Sequence, residues 1–200
     1  MFTGIVSDIG EVVEMKRGGQ IARYVVASNF PAASFLPGAS VANAGVCLTI
    51  VEAALHGGGS RLAFDVGAET LAVTTLGNLA PGKRINLERP LKIGDELGGH
   101  LVSGHVDGLA EIVAREDFEG MSRFRLRAPA ELARFIATKG SVALDGASLT
   151  VNRVAGDEFE VLLIPHTLAV TTWGERRIGD RVNLEVDQMA RYAARLSGFD

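Results

Sequence analysis

The side chains best able to move a proton or bond to a substrate lie beside glycines. His105 follows Gly104, Cys47 lies two residues after Gly45, and Ser148 lies two residues after Gly146. An imidazole exchanges protons near neutral pH, and a hydroxyl or thiol can donate a hydrogen bond or act as a nucleophile. Glycines let backbone amides and carbonyls approach a flat ligand closely. This pattern predicts acid–base or nucleophilic chemistry on a ligand held against the backbone.

Each such residue also has a structural interpretation. His105 could be a hydrogen-bonded turn residue, Cys47 a small buried apolar residue, Lys139 a solvated turn lysine, and Asp187 the cap of the last helix. His100 and His105 are five residues apart without further ligands nearby, which is untypical of zinc sites. No helix follows these glycines, as a dinucleotide-binding fingerprint requires. The sequence therefore predicts no metal site.

The sequence repeats itself. Residues 70–75 and 167–172 are both Thr-Leu-Ala-Val-Thr-Thr, and each copy continues through two glycines to Asn-Leu-Glu. The segments Ser-Val-Ala at 40–42 and 141–143 extend the match towards the N-terminus. The two copies of roughly 95 residues each are long enough to bury a core. We expect two similar domains, and hence two similar ligand sites.

The two copies differ at positions that could carry chemistry. The corresponding pairs are Ile5 and His105, Cys47 and Ser148, Gly38 and Lys139, and Gly67-Ala68 and Ile164-Pro165, whereas Thr49 and Thr150 match. Two identical ligands in such frames would meet different proton donors and nucleophiles, so one could be a donor and the other an acceptor. Drift between duplicated domains is the alternative explanation of any single difference.

Short runs of β-type residues separated by glycines predict strands and tight turns. In residues 123–127, Phe124 and Leu126 alternate with arginines, which is typical of a half-buried antiparallel strand. About six such strands in each copy, without a long helix between them, predict a small closed barrel. We place the domains at residues 1–97 and 98–186, followed by a C-terminal helical segment at 187–200.

Two helices are expected. The first covers residues 130–136 after Pro129, and its apolar side would plug a barrel end. The second begins at Asp187 as N-cap and ends before Gly198. Its apolar stripe consists of Met189, Tyr192, Ala193 and Leu196. Since so short a helix is marginal alone, this stripe should pack either on its own barrel or on other subunits.

Composition narrows the class of protein. Apolar residues make up 47% and charged residues 22%, which is typical of a soluble globular protein. The net charge is −4 with both signs interspersed, so no basic stripe favours nucleic acid. The N-terminus lacks the features of a signal peptide, and no apolar run is long enough for a membrane span. With one cysteine, the chain cannot form an internal disulfide, and we expect a cytoplasmic protein.

Several segments, in the same order, resemble the riboflavin synthase α-chain family. They are MFTGIV at residues 1–6, GVCLT at 45–49, GDELGGH at 94–100, GH at 104–105, DGASLTV at 145–151 and NLEVD at 183–187. The resemblance covers nearly the whole chain. It implies an all-β fold of two tandem six-stranded antiparallel Greek-key barrels with a short C-terminal helix.

The resemblance also implies an activity. Two molecules of 6,7-dimethyl-8-ribityllumazine would exchange a four-carbon unit, giving riboflavin and 5-amino-6-(ribitylamino)uracil, without a redox cofactor or metal. The family assembles as a trimer through the C-terminal helix, with the active site between the N-terminal barrel of one subunit and the C-terminal barrel of its neighbour. Association with lumazine synthase is a further possible partnership.

The matching motifs imply which residues of this chain form the family's site. The expected ligand contacts are Gly4, Ile5 and Val6, Cys47, Leu48 and Thr49, Asp65, Val66, Gly67, Ala68, Glu69 and Thr70, Gly104, His105 and Val106, Lys139, Ser148, Leu149 and Thr150, and Leu162, Leu163, Ile164, Pro165, His166 and Thr167. The residues expected to matter for turnover are His105, Ser148, Thr150, Cys47, Ser40, Asp187, Phe2 and Thr3.

Roles within that set are assigned by the same resemblance. Proton transfer falls to His105 or to a hydroxyl relay through Ser148 and Thr150. Cys47 would polarise the opposite ring, and Asp187 would hold a ribityl hydroxyl or a nucleophilic water. His166 departs from the family pattern, in which many members have an acidic residue.

A non-catalytic protein is the main alternative. The lumazine proteins of luminous bacteria share the fold, bind one chromophore as an antenna, and have one degraded half-site. Here both copies keep the Leu-Thr strand, the repeated hexapeptide and their glycines, which favours the enzyme. A flavin carrier without catalysis is a third interpretation.

Overall fold

Two closed antiparallel β-barrels form the structure, a computed structural model that describes residues 1–198. The strands of the first barrel are β1 (Asp8–Gly18), β2 (Ile21–Ser28), β3 (Ser40–Asn43), β4 (Val46–His56), β5 (Gly59–Gly67) and β6 (Arg84–Glu88). Those of the second are β7 (Gly108–Phe118), β8 (Met121–Arg127), β9 (Ser141–Leu144), β10 (Ala147–Ala155), β11 (Glu158–Leu163) and β12 (Arg181–Val186). The predicted all-β fold of two tandem barrels is confirmed.

The same strand order closes both barrels. In the first barrel it is β1-β2-β5-β4-β3-β6, with β6 pairing back to β1, and the second barrel repeats this order. The hairpins β3–β4 and β4–β5 bring β5 beside β2, which is a Greek key. Closure leaves neither sheet with a free edge.

Alternating burial explains why these segments form strands. In β8, Phe124 and Leu126 are fully buried, while the arginines between them face solvent. Phe124 packs edge-on against the buried ring of Trp173, with ring centroids 4.9 Å apart. Each barrel has its own core cluster of this kind. A one-residue slip in register would turn every such side chain outward, so the pattern fixes the pairing.

The helical segments are short. They are α1 (Ala68–Val73), α2 (Ala130–Ala133), α3 (Pro165–Val170) and α4 (Gln188–Leu196). The helix expected at 130–136 is thus shorter than predicted, because Phe135 and Ile136 donate to carbonyls only three residues back. Its apolar side nevertheless lies against the core of the second barrel, as expected of a plug.

The C-terminal helix begins as predicted, with the Asp187 carboxylate accepting the Met189 N–H at 2.9 Å. Residues 199 and 200 of the predicted C-terminal segment lie outside the described residues. Met189, Tyr192 and Leu196 are 70%, 61% and 89% exposed, so the apolar stripe does not pack on its own barrel. No helix within residues 1–198 is long and apolar enough to cross a bilayer.

The two barrels contact each other through corresponding residues of the two repeats, in a pseudo-twofold arrangement. Phe2 and Val102 form an antiparallel bridge with N···O distances of 2.7 and 3.1 Å. Gly45 of one barrel meets Gly146 of the other, so closely that a Cβ at Gly45 would lie 2.7 Å from the Gly146 nitrogen. The two copies therefore need glycine at this contact.

Two asparagines clamp the barrels together. The Asn183 side chain donates to the Ala44 carbonyl and accepts from the Thr75 N–H, both at 2.8 Å. The Asn86 side chain donates to the Asp145 carbonyl at 2.9 Å and accepts from the Thr172 N–H at 2.8 Å. The Asn of each Asn-Leu-Glu triplet thus binds the last threonine of the other copy's hexapeptide. The identical hexapeptides therefore have a structural role at this interface.

Replacing Gly45 with alanine tests this contact. Gly45 and Gly38 both have positive φ angles, of 78° and 93°, but nothing lies within 4 Å of a Cβ at Gly38. Gly38→Ala should cost only the left-handed backbone penalty of about 1–2 kcal/mol. Gly45→Ala should lower the free energy of unfolding further, because the barrels must separate locally. Urea unfolding of both variants measures the difference, and equal losses would contradict the close contact.

Candidate active site

Each barrel carries an N-terminal arm that lies on the other barrel. The Ser148 N–H in the second barrel donates to the Gly4 carbonyl at 2.7 Å, and the Cys47 N–H in the first donates to the Gly104 carbonyl at 2.9 Å. The Val6 side chain packs on the core of the second barrel, and Val106 on the core of the first. The predicted ligand segments therefore assemble crosswise.

We group the predicted ligand contacts into two candidate half-sites according to this crossing. The first half-site comprises Cys47–Thr49, Asp65–Thr70 and the arm residues Gly104–Val106. The second half-site comprises Ser148–Thr150, Lys139, Leu162–Thr167 and the arm residues Gly4–Val6. His105 and Ser148 consequently belong to different half-sites of the same chain.

Glycine is required where the arms touch the strands. A Cβ at Gly4 would lie 2.5 Å from Ser148 Cβ, and a Cβ at Gly104 would lie 2.6 Å from Cys47 Cβ. Both glycines also have positive φ angles, of 75° and 80°. The arms can therefore lie flat against Cys47 and Ser148 only because residues 4 and 104 are glycine. The residues that follow them, Ile5 and His105, are exposed.

A buried carboxylate holds the first arm. Glu88, at the end of β6, accepts from the Thr3 N–H and hydroxyl at 2.7 Å and from the Gly4 N–H at 3.0 Å. Burial raises the pKa of Glu88 above its usual value, while these hydrogen bonds oppose the rise. The Thr3 side chain thus helps to hold the arm on Glu88, and its role in turnover stays a prediction.

Glu185 at the end of β12 holds the second arm in the same way. Its carboxylate accepts from the backbone N–H groups of Ser103, Gly104 and His105 at 2.7, 2.8 and 3.0 Å. Sequence analysis did not single out either glutamate. The signal was present in the repeated Asn-Leu-Glu triplet, since an acid that ends a buried apolar strand in both copies must be paired.

A histidine–serine pair lies in the second half-site. His100 Nδ1 is 2.7 Å from Ser148 Oγ, and its backbone N–H donates to the Thr3 carbonyl. His100 Nε2 is buried without a hydrogen-bond partner among the described residues. Burial lowers the pKa of His100, and the charge of Asp187 opposes the shift. A neutral imidazole can orient the serine hydroxyl and exchange its proton.

This pair was missed because the sequence offered His100 only as a weak metal ligand. The five-residue spacing from His105 carries no information about Ser148, which lies 48 residues away along the chain. Within residues 1–198, no three His, Cys, Asp or Glu side chains cluster as a metal site.

The first half-site carries different groups. Cys47 is half-buried, and Phe2, fully buried, packs in the small cluster that touches it. Thr49 lies two residues after Cys47 on β4, and Ser40 on β3 is its cross-strand partner. His105 is exposed on the arm beside Cys47. A thiol and an imidazole here correspond to a hydroxyl and an isoleucine in the second half-site.

Lys139 occupies a strained position. Its φ angle is +70°. The corresponding residue of the first copy is Gly38, and the backbone N–H groups of Lys139 and Gly38 donate to equivalent carbonyls, those of Val151 and Ile50. Few residues other than glycine, asparagine and aspartate adopt this conformation. The lysine side chain is exposed, and strain of this kind often marks a functional residue.

Some predicted contacts can be made only through the backbone. The side chains of Leu48, Val66, Leu149 and Leu163 point into the barrel cores. Asp65 is exposed and pairs with Arg23 at 2.6 Å. Strand alternation explains this division, because every second residue of a contact segment must face inward.

A cleft opens between the first arm and α3 beside the second half-site. Its volume is 460 Å³, and its lining includes Val6, Arg84, His166 and Val170. His166 therefore faces open space next to the arm. His166, which departs from the family pattern, thus lies at the edge of the second half-site.

Both barrels match a known domain family. Residues 3–90 and 103–187 match the family model of the lumazine binding domain, once per barrel. Riboflavin synthase of Brucella abortus is 55% identical over 201 residues, which cover 100% of this chain and 99% of that protein. The chain belongs to the riboflavin synthase α-chain family. Riboflavin synthase of Mycobacterium bovis, another member, is 45% identical over 98% of both chains.

Solved structures show the same fold. LumP complexed with riboflavin matches with a TM-score of 0.81 and 24% identity, covering 93% of this chain and 99% of that one. LumP complexed with 6,7-dimethyl-8-(1'-D-ribityl) lumazine matches with a TM-score of 0.80 and 22% identity over the same shares. The double barrel is thus shared with structures of low sequence identity.

The His100–Ser148 pair predicts how stability depends on pH. The pKa of His100 in the native state lies below its usual value of 6.5 because the ring is buried. The native state binds this proton more weakly than the unfolded state, so the free energy of unfolding falls as pH decreases from about 6.5 through the native pKa. His100→Gln should weaken this dependence.

His56→Gln is the matched control, because His56 lies exposed at the end of β4. Urea unfolding at a series of pH values between neutral and acidic measures the effect. An unchanged pH dependence in His100→Gln would show that His100 is not held neutral by burial.

Proposed function

We propose that this protein catalyses the dismutation of two molecules of 6,7-dimethyl-8-ribityllumazine into riboflavin and 5-amino-6-(ribitylamino)uracil, as a transferase in the last step of riboflavin biosynthesis. Family membership over both barrels supports this activity. The observation that carries it is the pair of half-sites with alike frames and unlike chemical groups. A reaction between two identical molecules needs such a difference, since one must donate and the other accept.

Positioning is the main contribution of the protein. Two lumazine rings held face to face turn an encounter in solution into a near-unimolecular reaction, which can supply ~7–11 kcal/mol. The four-carbon unit leaves one ring and joins the other, so the carbon and hydrogen of the two substrates are all found in the two products. The reaction therefore needs no external oxidant or reductant.

The chemistry begins with loss of a proton from the C7 methyl group of one lumazine, which gives a stabilised carbanion. In the second half-site, Ser148 can take part in this transfer because the neutral imidazole of His100 contacts its hydroxyl at 2.7 Å. In the first half-site, Cys47 and His105 can polarise the other ring. Thr150 is exposed beside Ser148 and can bind the ligand through its hydroxyl.

Assembly as a homotrimer would complete the site. The α4 stripe of Met189, Tyr192 and Leu196 is exposed, and a helix of nine residues is too short to be stable without packing. A neighbouring subunit that covers this stripe can bring the second half-site of one chain against the first half-site of another. We place the protein in the cytoplasm, where lumazine synthase is a further possible partner.

The activity is tested by mixing the purified protein with 6,7-dimethyl-8-ribityllumazine alone and following riboflavin absorbance. We expect one riboflavin for every two lumazines consumed. Ser148→Ala should slow turnover strongly, whereas Ser60→Ala, buried on β5 of the first barrel, is a control for loss of a hydroxyl. Binding of the lumazine without formation of riboflavin would favour a non-catalytic antenna or carrier.

Lys139→Gly separates stability from function. Glycine removes the left-handed strain, so the free energy of unfolding should rise by about 1 kcal/mol. Loss of the exposed ammonium should at the same time weaken lumazine binding and lower turnover. Urea unfolding and steady-state kinetics measure the two effects. A variant that is more stable and fully active would show that the lysine has no role in the site.

The assembly proposal predicts the effect of Met189→Ser combined with Leu196→Ser. Both side chains are more than two-thirds exposed, so the barrels should fold unchanged. Sedimentation should show monomers with little turnover. Trimers of the doubly substituted protein would contradict assembly through this stripe.

A further inference from the structure

An ion pair connects the C-terminal helix to the arm that carries His105. The Arg191 guanidinium donates to Asp107 Oδ2 at 2.8 Å and lies 2.7 Å from Oδ1. Asp107 Oδ2 also accepts from the Val186 N–H at 2.9 Å, immediately before the helix cap. The Asp107 side chain is only 9% exposed. This carboxylate therefore joins the arm, the end of β12 and α4 at one point.

The other copy provides an internal comparison. Ser7 corresponds to Asp107, and the backbone N–H of each donates to the carbonyl of the matching leucine, Leu87 or Leu184. After β6 the chain continues through Arg89 and Pro90 without a helix, whereas after β12 it enters α4. The carboxylate thus lies in the copy that a helix follows, where it binds both the Val186 N–H and Arg191 of that helix.

Asp107 and Glu185 place two negative charges close to the base of this arm. Burial raises the pKa of Glu185, and the nearby charge of Asp107 adds to this rise, while the hydrogen bonds from the arm oppose it. Glu185 is the group that binds the Gly104 and His105 N–H groups. Without Arg191, the poorly solvated carboxylate of Asp107 would lose its ion-pair partner close to Glu185 on β12, and the repulsion between the two carboxylates would loosen the arm.

We propose that Arg191 is a positioning residue for the first half-site: through Asp107, it sets the arm on which His105 lies beside Cys47. This inference rests on the proposed function and adds a link to it. The same helix exposes its apolar stripe on the side away from the barrel. This ion pair would link the placement of α4, and hence the neighbour that covers it, to the arm of the first half-site.

Amide hydrogen exchange of the ligand-free protein tests the link directly. In Arg191→Met, exchange at Ser103, Gly104 and His105 should accelerate at least about tenfold. Exchange at Thr3 and Gly4, which Glu88 holds in the equivalent arm, should stay unchanged. Arg191→Lys, which keeps the charge, should restore most of the protection. Equal acceleration in both arms, or none at Gly104 and His105, would overturn the proposal.

Kinetics provides the second readout. Turnover of Arg191→Met should fall about tenfold, the loss expected for a charge-assisted hydrogen bond, with partial recovery in Arg191→Lys. Arg123→Met is the matched control, since it removes an exposed ion pair with Glu116 on the outside of the second barrel. Sedimentation of each variant shows whether assembly is intact, and full activity of Arg191→Met would also overturn the proposal.

If the unaltered protein forms no riboflavin, the proposed function fails. The exchange measurement still decides whether Arg191 positions the arm, because it requires neither ligand nor turnover.

Discussion

Two buried carboxylates, Glu88 and Glu185, determine where the two N-terminal arms can lie. Glu88 is the last residue of β6 and Glu185 the last but one of β12, and each accepts hydrogen bonds from backbone N–H groups of its own barrel's arm. The arm, bent back in this way, extends over the other barrel. Because both carboxylates are buried, their hydrogen bonds are costly to leave unmade, and the two arms are held in place.

The Asn-Leu-Glu triplet combines three functions in three consecutive residues of a strand. Its Asn clamps the opposite barrel, its Leu fills the core of its own barrel, and its Glu holds the arm. This division explains why the triplet is repeated without change while the groups on the arms differ. In the proposed reaction, the identical frames would place two equal rings, whereas Cys47 against Ser148 and Ile5 against His105 would make their surroundings unequal.

The sequence predicted the fold well because alternation and glycine spacing are local signals. Phe124 and Leu126 alone indicate the inward face of β8, and the repeat supplies the second barrel. The crossing of the arms could not be predicted, since it depends on contacts such as Ser148 with Gly4, which are 144 positions apart in number but adjacent in space. His100 was missed for the same reason: its partner is set by tertiary contacts and not by spacing. The expected contact residues and domain boundaries remain predictions.

We propose that one chain offers two half-sites of unequal chemistry, each built from one barrel and the other barrel's arm. A crystal structure of the assembled protein with an 8-ribityllumazine analogue lacking the C7 methyl group, which cannot form the carbanion, tests it most directly. We expect two ligands for each chain, one against Cys47 and the Gly104-His105 arm and one against Ser148 and the Gly4-Ile5 arm. A single ligand for each chain, or ligands that touch neither arm, would contradict it.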